Sequence, residues 1–147
     1  MLYIKIAPQQ KYTKLVNNEN KSISIAMAKF KKKLSIIIPV YNEKNTIEKL
    51  LNKIHNLVDI KKEIIVINDA STDGSKDILI KNKKKITKLI HHKKNLGKGA
   101  AIKSAQKYIN GKVVIIQDAD LEYDPKDYYK LLHQINLDQK LCMDLEC

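Results

Sequence analysis

The chain has no Trp and no Arg, a single Phe, and only two Cys. Each shortage excludes something. With Phe30 as the lone Phe and no Trp, no basic stretch is interleaved with aromatics that could stack nucleic-acid bases. No nucleic-acid partner is therefore expected. Cys142 and Cys147 both fall in the last six residues. Two late thiols do not make a disulfide framework, and no second Cys/His pair joins them to hold zinc. Apolar runs are only a few residues long, so none spans a bilayer. The start lacks the apolar run and small-residue cleavage site of a secretory signal. These absences together predict a cytoplasmic protein, at most peripheral at the cytoplasmic membrane face.

What is present is enough for one domain with a real core: 147 residues, 44% of them hydrophobic. The net charge is +12, and all 28 basic residues are Lys. More than half of the excess lies in residues 1–33, which hold eight Lys against Glu19 alone. That segment shows no sustained periodicity. It reads as a basic N-terminal extension, partly disordered, with Met27 an internal candidate start. Its charge suits a solvated surface, with weak attraction to anionic lipid.

From Leu34 the pattern becomes regular. Leu34–Pro39 is a β-branched run closed by Pro. Asn45 or Thr46 can cap a helix to about Leu57, with Ile47, Leu50, Leu51 and Ile54 at helical spacing. Glu63–Asn68 is a second strand, and Asp73-Gly74-Ser75 starts a second helix, with Asp73 as its cap. Lys88–His91 is a weaker third strand, and its His91-His92 pair reads as surface. A helix follows from Gly97 to about Ile109, and Asn110-Gly111 turns the chain into a fourth strand ending at Asp118. Pro125 opens a last helix to about Ile135. Strand–helix alternation with short loops predicts an α/β fold: a mostly parallel sheet in three α/β/α layers, the first and fourth strands adjacent. In such sheets ligands bind beyond the carboxyl ends of the strands.

The most informative stretch runs from Val113 to Pro125. Val113-Val114-Ile115-Ile116 reads as a strand buried on both faces, leading into Asp118 and Asp120. Residues two apart on an extended chain face the same side, so both carboxylates can converge. Like charges that close call for a cation, and Mg²⁺ typically adds substrate phosphates to its shell. The other strand ends carry polar motifs too. Tyr41 can stack on a base or ribose and Glu43 can accept from a hydroxyl. Asp69 can take a base NH or a ribose hydroxyl. Asn95-Leu96-Gly97-Lys98-Gly99 places small residues and free amides at a helix start, which suits an anion.

Pro-x-Tyr-Asn-Glu, Asp-x-Ser-x-Asp-Gly-Ser, Asn-x-Gly-Lys-Gly and Asp-x-Asp-Leu-x-x-x-Pro fall in this order on successive strand ends. The arrangement resembles a family 2 glycosyltransferase of the GT-A fold, nearest the dolichyl-phosphate mannosyltransferase-like group, over about 34–135. The resemblance implies sugar transfer with inversion from a GDP- or UDP-linked donor. By position, Pro39, Tyr41, Glu43, Ile67, Asp69 and Lys98 would line the nucleotide-sugar site. Asp118, Ala119 and Asp120 would border the diphosphate, with Asp118 and Asp120 holding Mg²⁺ or Mn²⁺ and Glu122 a further candidate ligand. The implied acceptor is a polyprenyl phosphate or another lipid at the membrane surface. The catalytic base and acceptor half are expected beyond the chain's end. Two other readings compete: a non-catalytic nucleotide-sugar or metal-binding module, and a basic nucleic-acid-binding protein.

Residues 136–147 form an atypical tail. Relatives of this group continue close to Val-Val-Tyr-Gly-Ser-Arg, whereas this chain reads Lys140-Leu141-Cys142-Met143-Asp144-Leu145. In the shifted frame a Gly codon is forced across Met143 and Asp144, and the rest of the motif is permitted. A frameshift near Lys140 is the expectation, against a short divergent paralogue.

Overall fold

The computed structural model describes residues 33–135 in full, preceded by the backbone of two short strands, β1 (Tyr3–Ile6) and β2 (Tyr12–Thr13). The tail 136–147 and most of the N-terminal extension lie outside the described residues. The domain proper runs β3 (Leu34–Val40), α1 (Ile47–His55), β4 (Lys62–Asn68), α2 (Ser75–Lys81), β5 (Lys88–His91), α3 (Lys98–Ala105) and β6 (Val113–Ile116). Residues 128–135 form a further helix, α4, entered through a 3-10 turn at Pro125–Asp127.

The sheet order is β2-β1-β6-β3-β4-β5. β6, β3, β4 and β5 are mutually parallel, with Leu34 opposite Val113 and Lys62. The expected adjacency of first and fourth strands is therefore observed. β1 adds antiparallel to β6, pairing Tyr3 with Ile116 and Ile6 with Val113. No periodicity marked a strand there; β1 lies between β2 and β6, and a strand of four residues is too short to leave a sustained pattern.

Alternation along the strands sorts the core into two layers. Ile36, Ile38, Val40, Ile64, Val66 and Ile115 face α1 and α4, meeting Leu50, Leu51, Ile54, Tyr128 and Leu132. Ile37, Ile65, Ile67 and Val114 face the other way, against Ala101 and Ala105 of α3. The two alanines let α3 lie close to the sheet. α3 is shorter than its sequence pattern suggests: after Ala105 the chain tightens into a 3-10 turn at Gln106–Tyr108. No described helix is long and apolar enough to cross a membrane.

A buried carboxylate fastens the amino edge of the sheet. Glu63 is 1% exposed. It accepts from the Ser35 hydroxyl and from the amides of Asn110 at 2.6 Å and Gly111 at 3.1 Å, and pairs with Lys33 Nζ at 2.5 Å. Burial pushes its carboxyl up, but the bonds from Lys33, Ser35 and Asn110 outweigh that and hold its pKa at about 2. A depressed folded-state pKa stabilises above the unfolded value and is lost as pH falls toward the folded one. The stability it contributes above pH 4.5 should approach about 3 kcal/mol and should be lost as pH falls from 4.5 to about 2. Denaturant midpoints measured from pH 7 to pH 3 should fall more steeply for the wild type than for Glu63→Gln. Parallel profiles would rule the assignment out.

Candidate functional site

A cleft of about 340 Å³ opens at the carboxyl edge of the parallel strands. Pro39, Val40, Tyr41 and Glu43 come from the end of β3, Asp69 from the end of β4, and Asn95, Gly97, Lys98 and Ala101 from the start of α3. Asp118, Ala119 and Asp120 follow β6. The adjacency of β6, β3 and β4 brings these loops to one place, although residues 39 and 120 lie far apart in sequence.

Eight of the nine positions expected to line a nucleotide-sugar site border this cleft. The exception is Ile67, which is fully buried between the sheet and α3. Its side chain shapes the floor from below and does not line the cavity. Glu122, the further candidate ligand, is exposed and is not among the lining residues.

The first loop is held in shape by the second. Asn42, at φ 56°, donates its amide to Ser71 Oγ at 3.1 Å, and its side-chain oxygen accepts from the Thr72 amide at 2.8 Å. Ser75 Oγ accepts from the Glu43 amide at 2.8 Å, and Asp73 Oδ2 from the Lys44 amide at 3.0 Å. Asp73 Oδ1 also accepts from the Ser75 amide at 2.9 Å, but the N-cap of α2 is Gly74 at φ 97°, so Asp73 sits one residue before the cap its sequence position suggested. The Ser and Asp spacing of this motif thus builds a scaffold for Tyr41, which stays 47% exposed at the cleft. An aromatic ring held out on a fixed loop can stack on a planar ligand.

Asp69 is bound more tightly than its proposed ligand role required. Its oxygens accept from the Leu96 amide at 3.0 Å and the Gly97 amide at 2.8 Å, and Oδ1 lies 2.6 Å from His92 Nδ1. Burial raises its pKa, but those amides and His92 more than compensate, so the carboxyl sits below the ordinary range. His92 is not the surface residue that its sequence suggested: its side chain is 9% exposed. Nothing in a His-His doublet at a strand end signals such a partner 23 residues away.

Gly97 holds φ 87° and ψ 161°, a region that essentially only Gly occupies. No atom lies near its absent Cβ, so the demand is conformational and not steric. Gly97→Ala should cost about 1–3 kcal/mol or displace the loop. Thermal melts read the first outcome and loss of ligand affinity the second. A variant with wild-type stability and affinity would contradict the geometry.

Asp118, expected as the last residue of the fourth strand, lies in a loop together with Asp120. β6 ends at Ile116, and Gln117 then clamps the turn. Gln117 is fully buried, and its Nε2 donates to the carbonyls of Asp118 at 3.0 Å and Tyr123 at 3.2 Å. Its Oε1 accepts from Tyr128 Oη at 2.7 Å. Leu121 takes a left-handed φ of 66°, which closes the loop. Asp118 pairs with Lys98 Nζ, and burial is outweighed by that bond, leaving its carboxyl lowered and ionised at neutral pH. Among the described residues no three His, Cys, Asp or Glu side chains converge on one point. Two carboxylates alone fit a hard divalent cation whose remaining ligands come from elsewhere.

A family model described as Glycosyl transferase family 2 matches residues 35–144. Dolichol-phosphate mannosyltransferase of Pyrococcus furiosus is 34% identical over 105 residues, covering 70% of this chain and 30% of that protein. Among solved structures, mannosyltransferase PcManGT from Pyrobaculum calidifontis, in complex with GDP-Man and Mn²⁺, matches with TM-score 0.62 and 26% identity. That match covers 74% of this chain and 32% of the other. TarS 1-349 of S. aureus, in complex with UDP, matches with TM-score 0.55 and 33% identity over 60% of this chain and 27% of that one. The chain spans 30% of the length of the curated relative it matches.

Proposed function

This chain belongs to glycosyl transferase family 2, and from that premise we propose that its cleft binds the nucleoside diphosphate sugar donor of a metal-dependent, inverting sugar transfer. The observation that carries the reading is that, of the four strand-end loops around one cavity, three bring an aromatic ring, a cationic helix start and a carboxylate pair together. Tyr41 lies on the first, the amides and Lys98 on the second, and Asp118 with Asp120 on the third.

The roles follow from the chemistry of each group. Tyr41 offers a ring face to the base, and Glu43 an acceptor to a ribose hydroxyl. The first turn of α3, from Lys98, presents its amides and a cation to phosphate oxygens, while the Leu96 and Gly97 amides are held by Asp69. Asp118 and Asp120 would hold Mg²⁺ or Mn²⁺, which when bound supplies positive charge to the diphosphate leaving group. The solved complexes of PcManGT with GDP-Man and Mn²⁺ and of TarS 1-349 with UDP support this class of donor. The base that deprotonates the acceptor is assigned to the part of such proteins that this chain does not align with. A polyprenyl phosphate at the cytoplasmic membrane face is the proposed acceptor, supported by the dolichol phosphate in the relative's name.

Calorimetric titration of UDP and GDP, with Mn²⁺ and then with EDTA, tests the reading. One of the two should bind, and more weakly by at least about tenfold without metal. Binding of neither nucleotide, with or without metal, would end it.

A further inference from the structure

Four segments meet beside the cleft in a chain of buried polar contacts. Asp69 follows β4, His92 follows β5, Leu96 and Gly97 precede α3, and Ser104 lies on α3 itself. His92 Nδ1 is 2.6 Å from Asp69 Oδ1, and His92 Nε2 is 2.9 Å from Ser104 Oγ. Asp69 in turn accepts from the Leu96 and Gly97 amides. The side chains of Asp69 and His92 are 4% and 9% exposed. A buried chain of this kind holds one geometry only when every member is satisfied.

We propose that His92 is a positioning residue of the donor cleft: through Asp69 it fixes the Leu96–Gly97 amides, and through Ser104 it fixes α3 against them. The chemistry sets the direction of each bond. Ionised Asp69 only accepts, so His92 Nδ1 carries a proton. With that proton on Nδ1, a ring without a second proton accepts at Nε2 from the Ser104 hydroxyl. That single tautomer orients the imidazole between two elements that share no backbone bond there. The wall it fixes includes Gly97 and Lys98, which face the same cavity as Asp118 and Asp120. Asp69 itself borders the cleft and in addition anchors the loop beside it.

The importance of this for donor binding rests on the reading given under Proposed function, so the test needs a readout that does not. Amide hydrogen exchange at Leu96 and Gly97 supplies one, and the nitrogen shifts of the His92 ring supply another. In the wild-type chain the ring should report the Nδ1–H tautomer. In His92→Ala and Ser104→Ala, the Leu96 and Gly97 amides should exchange faster than in wild type, while those of Ile65 and Val66 in β4 keep their protection. His92→Asn, which retains a donor toward Asp69, should restore most of the protection. Nucleoside diphosphate affinity should weaken about tenfold in His92→Ala and recover in His92→Asn. If His92→Ala does not fold, Ser104→Ala and His92→Asn carry the comparison. Unchanged exchange at Leu96 and Gly97, or an Nε2–H tautomer, overturns the proposal. A wild-type chain that shows the tautomer and the exchange response but binds no nucleotide removes the donor-site reading and leaves the role of His92 standing.

Discussion

Gly111→Ala should remove a large share of the domain's folding stability. A Cβ at this position would lie 2.5 Å from Ser35 Oγ, 2.6 Å from Ser35 N and 2.7 Å from Lys33 O. Two of those atoms are backbone, at the start of the central strand β3, so a rotamer change cannot relieve the clash. The Lys112 amide also donates to the Lys33 carbonyl at 3.0 Å, which ties the two segments at that spacing. Moving Gly111 away breaks its own amide bonds to Ser35 Oγ at 2.8 Å and Glu63 at 3.1 Å. Overpacking costs about 1–3 kcal/mol, and weakening a buried bond to a charged group adds a similar amount. The sum is a large share of a typical folding stability of about 5–15 kcal/mol. Urea denaturation followed by circular dichroism measures it. A midpoint within experimental scatter of wild type would mean that the amino edge is softer than its packing implies. The same experiment on Ser35→Ala separates the steric part from the hydrogen-bonded part, since that change removes Oγ but leaves both backbone atoms.

The legible parts of this fold were those that depend on local pattern. β-branched runs located β3, β4 and β6, and helical spacing located α1, because burial on a sheet face or a helix stripe leaves a periodic trace. The order of polar motifs placed Tyr41, Glu43, Asp118 and Asp120 at one edge. What sequence could not carry was which polar residue answers which across 20 or more intervening residues. Ser75 read only as part of a helix start, yet it and Ser71 hold the loop of Tyr41. Over a shorter span, Gln117 fell within the strand expected to end at Asp118, yet it clamps the aspartate loop from inside and meets Tyr128 of α4. His92 looked like surface because a titratable ring leaves no periodic trace when one buried carboxylate determines its position. Ile67 was placed at the cleft by resemblance, but strand alternation turns its side chain to the core under α3. In each case the deciding fact is a contact between segments, and contacts between segments have no spacing rule.

Asp120→Asn should abolish the contribution of metal to nucleotide affinity, and Asp118→Asn should do so with a different signature. The two aspartates border one cavity but differ in what surrounds them. Asp120 is exposed, with Oδ1 accepting from the Glu122 amide at 3.1 Å. Removing its charge leaves the loop's own hydrogen bond possible, since an amide oxygen also accepts. Asp118 is ion-paired with Lys98. A divalent ion arriving at Asp118 must compete with Nζ, and a diphosphate arriving with it offers Nζ a new partner. Metal and nucleotide should therefore bind with positive coupling, each removing the cost the other faces. In wild type, Mn²⁺ should tighten nucleotide binding by at least about tenfold, or 1.4 kcal/mol. In Asp120→Asn the ratio should fall to near one, with metal-free affinity unchanged. In Asp118→Asn the ratio should also fall, but metal-free affinity should rise, because Lys98 is released toward the diphosphate. Lys98→Met should show the converse: better Mn²⁺ binding without nucleotide and poorer nucleotide binding without Mn²⁺. Manganese binding followed by electron paramagnetic resonance, alongside calorimetry of the nucleotide, reads both sides of the coupling. A full metal effect surviving in Asp120→Asn would remove Asp120 from the metal site. Identical behaviour of the two Asn variants would remove the competition between Lys98 and the ion.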